Sequence, residues 1–123
     1  MKNVFFVFLG GGLGSILRYA STKYLNPILT NFYLGTFSAN VIACFLLGLF
    51  TGLYFKEADK DFVKHFMLIG VCGGFSTYST FTNDTFQLLE AGNWTLAFAN
   101  VASNLLVCLL AIFIGMWISK TVF

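Results

Sequence analysis

Charge is scarce in this chain, with five acidic and seven basic residues among 123, one histidine and one proline. Charged residues make up 10% of the sequence, against about 25% in an average soluble domain, so the solvated shell of such a domain cannot be built. The single histidine, His65, stands beside Lys64 at the edge of a span with no nearby serine or carboxylate pair of the kind nucleophilic catalysis needs. It reads as a solvated histidine at a membrane interface, and the chain reads as no enzyme. Cys44, Cys72 and Cys108 fall in three separate apolar segments without metal-type spacing and read as small buried apolar residues. No basic stripe with interleaved aromatics points to nucleic acid. Gly10 to Ser15 approaches a dinucleotide fingerprint but lacks the final glycine and a preceding strand. Asn83-Asp84-Thr85 and Asn93-Trp94-Thr95 match the glycosylation sequon, a pattern frequent by chance.

Apolar residues fill the space that charge vacates: 58% of the chain is hydrophobic, 16 residues are Phe, and the mean hydropathy is +0.82. These values identify an integral membrane protein. Crossing about 30 Å of hydrocarbon takes roughly 20 apolar residues per helix, so residues 1–123 allow four spans with short loops, a single domain. The spans are expected from about Asn3 to Ala20, Leu34 to Phe55, Phe62 or Lys64 to Glu90, and Thr95 to Ser119. Loops are signalled by Asn26-Pro27, by the charged run Lys56 to Lys64, which includes Glu57, Asp59 and Asp61, and by Ala91-Gly92-Asn93. Lys2 before an apolar run resembles a signal peptide, but no small-x-small cleavage site follows and three more spans do. Lys2, Lys56, Lys60, Lys64 and Lys120 outnumber Arg18 and Lys23 across the membrane, a modest bias toward cytoplasmic termini.

The third span is the anomalous one. Gly73-Gly74-Phe75-Ser76-Thr77-Tyr78-Ser79-Thr80-Phe81 places two glycines and four Ser and Thr hydroxyls at membrane depth. An irregular backbone survives there only when buried in protein or lining a wet cavity. A break is therefore expected from Cys72 to Tyr78, with the carbonyls of Gly73 and Ser76 freed for a small cation. On a helix resuming after it, Tyr78 and Phe81 share one face. Their positive ring edges suit a dehydrated anion, with Asn40, Ser79 and Thr80 as donors, although packing alone also accounts for them. Arg18, near a span end, fits either an aqueous vestibule or an interfacial anchor beside Tyr19.

Small-xxx-small pairs occur at Gly10 and Gly14, Gly48 and Gly52, and Gly70 and Gly74. They fit packing within one four-helix subunit first, and packing between subunits second. Asn40, Asn100, Ser103 and Asn104 lie deep in the second and fourth spans. Each serves as an interhelical hydrogen-bonding group or, in a dimer, as part of a conduit wall.

Together these motifs resemble the CrcB/Fluc fluoride channel family over nearly the whole chain. The resemblance is carried by Gly11-Gly12-Leu13-Gly14-Ser15-Ile16-Leu17-Arg18-Tyr19, by Gly35-Thr36-Phe37-Ser38-Ala39-Asn40, and most specifically by Gly70 to Phe81, of the form GxCGGxSTxSTF. It implies an all-α membrane protein of four transmembrane helices with a broken third, assembled as an antiparallel dual-topology dimer with two fluoride pathways. It also implies a central structural sodium ion, Na+, on the carbonyls of Gly73 and Ser76 of both subunits. Fluoride would pass Asn40, Tyr78 and Phe81, with Arg18 in a vestibule. Thr36, Ser79, Thr80 and Thr82 would form a polar track, and Asn100 and Asn104 the facing wall. The implied role is passive export of cytoplasmic fluoride through a cell membrane, a bacterial inner membrane, by a homodimer or by a heterodimer with a paralogue. Tyr78 stands where the family usually has phenylalanine and Asp84 where it has glutamate. Asn100, Asn104, Val107 and Cys108 lie where Ser or Gly is common.

The alternative from another class is a small proton-coupled multidrug exporter of dual topology, which needs a membrane-embedded carboxylate; Asp84 is the one acidic residue near membrane depth. A third is a membrane scaffold whose glycines and hydroxyls only pack helices.

Overall fold

The computed structural model describes residues 1–29, 31–56 and 59–122, and Glu57 of the charged run lies outside them. Every element among the described residues is helical. Helix α1 is Lys2–Leu25, followed by a 3-10 turn at Asn26–Ile28, and α2 is Leu34–Tyr54. Helix α3 begins as Lys60–Phe62, widens into a π-wound stretch over Val63–Cys72 and ends as Gly73–Phe75. After two extended residues, α4 runs Tyr78–Glu90, and α5 is Trp94–Val122.

Among the described residues, three uninterrupted segments are long and apolar enough to cross a membrane: Lys2–Ile28, Leu34–Tyr54 and Trp94–Val122. The third crossing is the two-piece α3 and α4. The sequence placed α2 to within one residue but drew α1 and α5 too short, because helix continues past the apolar stretch into interfacial residues such as Ser21 to Leu25. The interruption is also narrower than expected. Gly73 to Phe75 remain helical, and only Ser76 (ψ 155°) and Thr77 (φ −150°, ψ 118°) leave the helix.

Local chemistry sets the ends. The Asp59 carboxylate accepts from Phe62 N at 3.1 Å and starts α3, and the Thr77 hydroxyl accepts from Thr80 N at 3.2 Å and starts α4. Gly92, at φ 77°, stops α4 in the left-handed conformation, with Asn93 N donating to Leu88 O at 2.9 Å. Asn26 Oδ1 accepts from Gly35 N at 2.7 Å, and Tyr33 Oη donates to Gln87 Oε1 at 2.8 Å, which pins that connection to the far end of α4.

Glycine decides which helices touch. A Cβ on Gly10 or Gly14 would strike the Phe66 or Val71 carbonyl, and one on Gly70 or Gly74 would strike the backbone of Gly10 or Gly11. Helices α1 and α3 are thus in backbone contact and run parallel. Gly48 against Ile112, Gly52 against Ser119 and Gly115 against Phe45 join α2 and α5 in the same way. Lipid solvates leucine as well as a helix does, so such close approach is what holds membrane helices together. All three small-residue pairs are used inside the subunit. The order is therefore up, down, up, down, with the termini on one side.

Gly14→Ala is expected to lower stability by about 1–3 kcal/mol through overpacking. Gly12→Ala, whose Cβ would meet nothing within 4 Å, is expected to be neutral or to gain up to about 1 kcal/mol of helix propensity. Thermal unfolding of the detergent-solubilised variants, compared side by side, checks the pair.

Candidate functional site

The two extended residues leave main-chain groups without helical partners at membrane depth, and one side chain takes up most of them. From α2, Asn40 accepts from Thr77 N through Oδ1 at 2.8 Å and donates through Nδ2 to Thr77 O at 3.3 Å. A primary amide is the one short side chain that offers a donor and an acceptor side by side, as the Thr77 main chain demands. The same Nδ2 also donates to Asn104 Oδ1 at 3.2 Å. Asn104 Nδ2 in turn reaches O and Oδ1 of Asn100 at 3.0 and 3.1 Å, and Asn100 Nδ2 donates to Thr85 Oγ1 at 2.9 Å. A polar chain thus links α2, α5 and α4 through the apolar interior.

This brace has a consequence for the carbonyls. Thr77 N, the helical donor to Gly73 O, is taken by Asn40, and Thr80 N, the helical donor to Ser76 O, is taken by the Thr77 hydroxyl. Ser76 O accepts from Arg18 Nη1 at a long 3.4 Å. Gly73 lies on an open face, where a Cβ would meet nothing within 4 Å. Two main-chain oxygens, three residues apart at the C-terminal, electronegative end of a half-helix, thus lose their regular helical donors. They suit a hard cation that takes oxygen ligands.

On the other side of the break lies a cavity of about 450 Å³ whose lining includes Asn40, Ser76, Thr77, Tyr78, Phe81 and Asn104. The Tyr78 and Phe81 rings stand 6.0 Å apart at 49°. Tyr78 is 81% exposed, so the cavity is open along the outer face of the subunit. The N-terminus of α4, with its positive end of the helix dipole, starts at this rim.

The remaining expected residues are scattered. Arg18, half-buried, reaches the break itself by its bond to Ser76 O. Thr36 is buried with its hydroxyl unpartnered among the described residues, as is Oδ2 of buried Asp84. Ser79 is exposed, 3.4 Å from the Thr77 hydroxyl, and Thr80 accepts from that hydroxyl at 3.0 Å. Thr82 turns its hydroxyl back to Tyr78 O at 2.9 Å. Asn100, 2% exposed, is spent on the polar chain and does not line the cavity, whereas Asn104 does. Thr77 went unnoticed as a functional residue; the spacing of Thr77 and Thr80, a hydroxyl three residues before its partner amide, was its signal. Cys44 and Cys108 also line the cavity.

The chain is similar in sequence to known proteins. The family model described as CrcB-like protein, Camphor Resistance (CrcB), matches residues 5–116. The chain is 39% identical over 122 residues to the fluoride-specific ion channel FluC of Flavobacterium psychrophilum, covering 98% of each. It is 37% identical over 121 residues to that of Phocaeicola vulgatus, covering 98% of this chain and all of the relative. It is 40% identical over 122 residues to that of the archaeon Pyrococcus abyssi, covering 98% of each.

Asn40→Ala is expected to cost about 2–6 kcal/mol, since it strands a buried N–H and a C=O at roughly 1–3 kcal/mol apiece. Asn40→Asp keeps the acceptor for Thr77 N but turns a carboxylate oxygen toward Thr77 O and Asn104 Oδ1, and is expected to lose at least as much. Denaturant titration of the purified variants reads the order.

Proposed function

This chain belongs to the CrcB-like protein family, and we propose that it is the subunit of a passive, fluoride-selective channel. It is a multi-pass membrane protein and not an enzyme. The observation that carries the proposal is the braced interruption: a donor-bearing Asn40, a ring pair and a helix N-terminus meet at one cavity inside a lipid-facing bundle. The names of the relatives supply the ion.

In this reading fluoride passes Asn40 and the Tyr78–Phe81 pair. An anion there meets aromatic C–H edges, the positive end of α4 and the Asn40 amide. The amide's two donated bonds are 3.3 and 3.2 Å long and are easily shared with a passing ion. Many weak donors in a narrow path bind an ion firmly enough to enter and loosely enough to leave. Arg18, held at Ser76 O, raises the local positive potential without standing in the path. Ser79, Thr80 and Thr82 extend the polar surface along the first turns of α4. Asn104 forms the facing wall, and Asn100 and Thr36 support it from behind.

The cavity of one subunit is open on its outer face, with a Tyr78 hydroxyl displayed at membrane depth. This supports a second, antiparallel copy that closes the path, giving two pathways per dimer in a cell membrane. Gly73 O and Ser76 O of each copy would hold Na+ at the centre, where it would tie the two interruptions together electrostatically. Purified chain that conducts alone identifies a homodimer; conduction only with a paralogue identifies a heterodimer. The proton-coupled exporter needs a carboxylate on the transport path, and Asp84, 5% exposed, is buried outside the cavity lining.

Liposomes carrying the purified protein are expected to release fluoride far faster than chloride, and far faster than protein-free lipid. Asn40→Asp, which places a negative charge on the path, is expected to slow fluoride release at least about tenfold, a barrier increase of roughly 1.4 kcal/mol. Unchanged release would remove Asn40 from the path. Dye efflux driven by protons and lost in Asp84→Asn would favour the exporter instead.

A further inference from the structure

Helices α2 and α5 run parallel in a fixed register. Asn40 and Asn104, 64 residues apart, are hydrogen-bonded across it. Two turns further along, the Gly48 backbone meets the carbonyl of Ile112, at the same offset. Cys44 and Cys108 occupy the turn between these contacts, also at that offset. Both thiols line the cavity beneath the Asn pair, and both are partly exposed. Nothing in the conduction path described above uses them.

We propose that Cys44 and Cys108 form a two-thiol site for a soft, linearly coordinated d10 cation, of which the mercuric ion is the type. Thiolate sulfur selects soft metals, whereas the oxygen-rich break beside it selects hard ones. Among the described residues no group of three or more His, Cys, Asp or Glu converges, so the site offers two ligands and excludes ions that need a tetrahedral set. Capture involves no electron transfer: two S–H bonds break, two metal–sulfur bonds form, and two protons leave to solvent. The cavity gives the ion its entry route. The cation then sits one helical turn from Asn40, in the space assigned above to the anion.

Cys72 is the competing ligand. It shares a smaller cavity of about 130 Å³ with Cys44, but it is 4% exposed and buried on α3. The register across α2 and α5 favours Cys108.

The test is intact-mass spectrometry of the full detergent-purified chain after mercuric ion alone, followed by titration with a competing monothiol. The wild type and Cys72→Ser are expected to retain one mercury per chain. Cys44→Ser and Cys108→Ser are expected to release it at about a hundredfold lower competitor, because the second bond is then lost. A second readout needs no variant: mercury is expected to shield Cys44 and Cys108 of the wild type from maleimide and to leave the reactivity of Cys72 as it was. Retention in Cys108→Ser equal to wild type, loss in Cys72→Ser, or a wild type that releases mercury as readily as a single thiol would each overturn the assignment. Mass and labelling report binding whether or not the chain conducts, so the result stands apart from the fluoride reading.

Discussion

The side chain of Asn40 against the main chain of Thr77 is the interaction on which the rest depends. A transmembrane helix interrupted in hydrocarbon leaves polar backbone groups that cost several kcal/mol each when unsatisfied. Here one amide from a neighbouring helix satisfies both an N–H and a C=O at the point of rupture. By taking Thr77 N it strips Gly73 O of its helical donor, and the Thr77 hydroxyl does the same to Ser76 O by capping α4. A single brace thus creates an electronegative rim on one side of the break and an electropositive helix start on the other. The electronegative and electropositive surfaces lie back to back because they are the two ends of one interrupted helix.

That brace is useful only if α2 and α3 are held at a constant distance, and the glycines provide this. Gly10, Gly14, Gly70 and Gly74 bring α1 and α3 into backbone contact, Gly48 and Gly115 do so for α2 and α5, and Gly52 makes room for the Ser119 side chain. The consequence is two parallel pairs whose registers align Asn40 with both Thr77 and Asn104. The outer surfaces remain rich in exposed Phe, Leu and Ile, as a lipid-facing subunit requires.

Much of this was legible before any coordinates. The scarcity of charge and the four apolar segments set the class, and the glycine and hydroxyl cluster marked the broken span, since neither belongs in a simple membrane helix. The same cluster marks Gly73 and Ser76 as carbonyls expected to lose their helical donors. The reason, that two side chains capture their donors, depends on three-dimensional proximity that spacing does not reveal. The same limit applies to Asn40: its residue type indicates a donor, but only packing reveals that its first duty is to the backbone. Asn100 and Asn104 are alike in sequence and differ in role because one faces α4 and the other faces the cavity. The extra helix at the ends of α1 and α5 was invisible to hydropathy, since interfacial residues are polar enough to read as loop.

The most direct measurement is solid-state NMR on the protein in lipid bilayers, with Thr77 and the asparagine side chains isotopically labelled. Extended backbone shifts at Thr77, between helical shifts at Phe75 and Ser79, with through-space transfer from Thr77 to the Asn40 amide, are the predicted result. Helical shifts at Thr77 with no transfer to Asn40 would contradict the account.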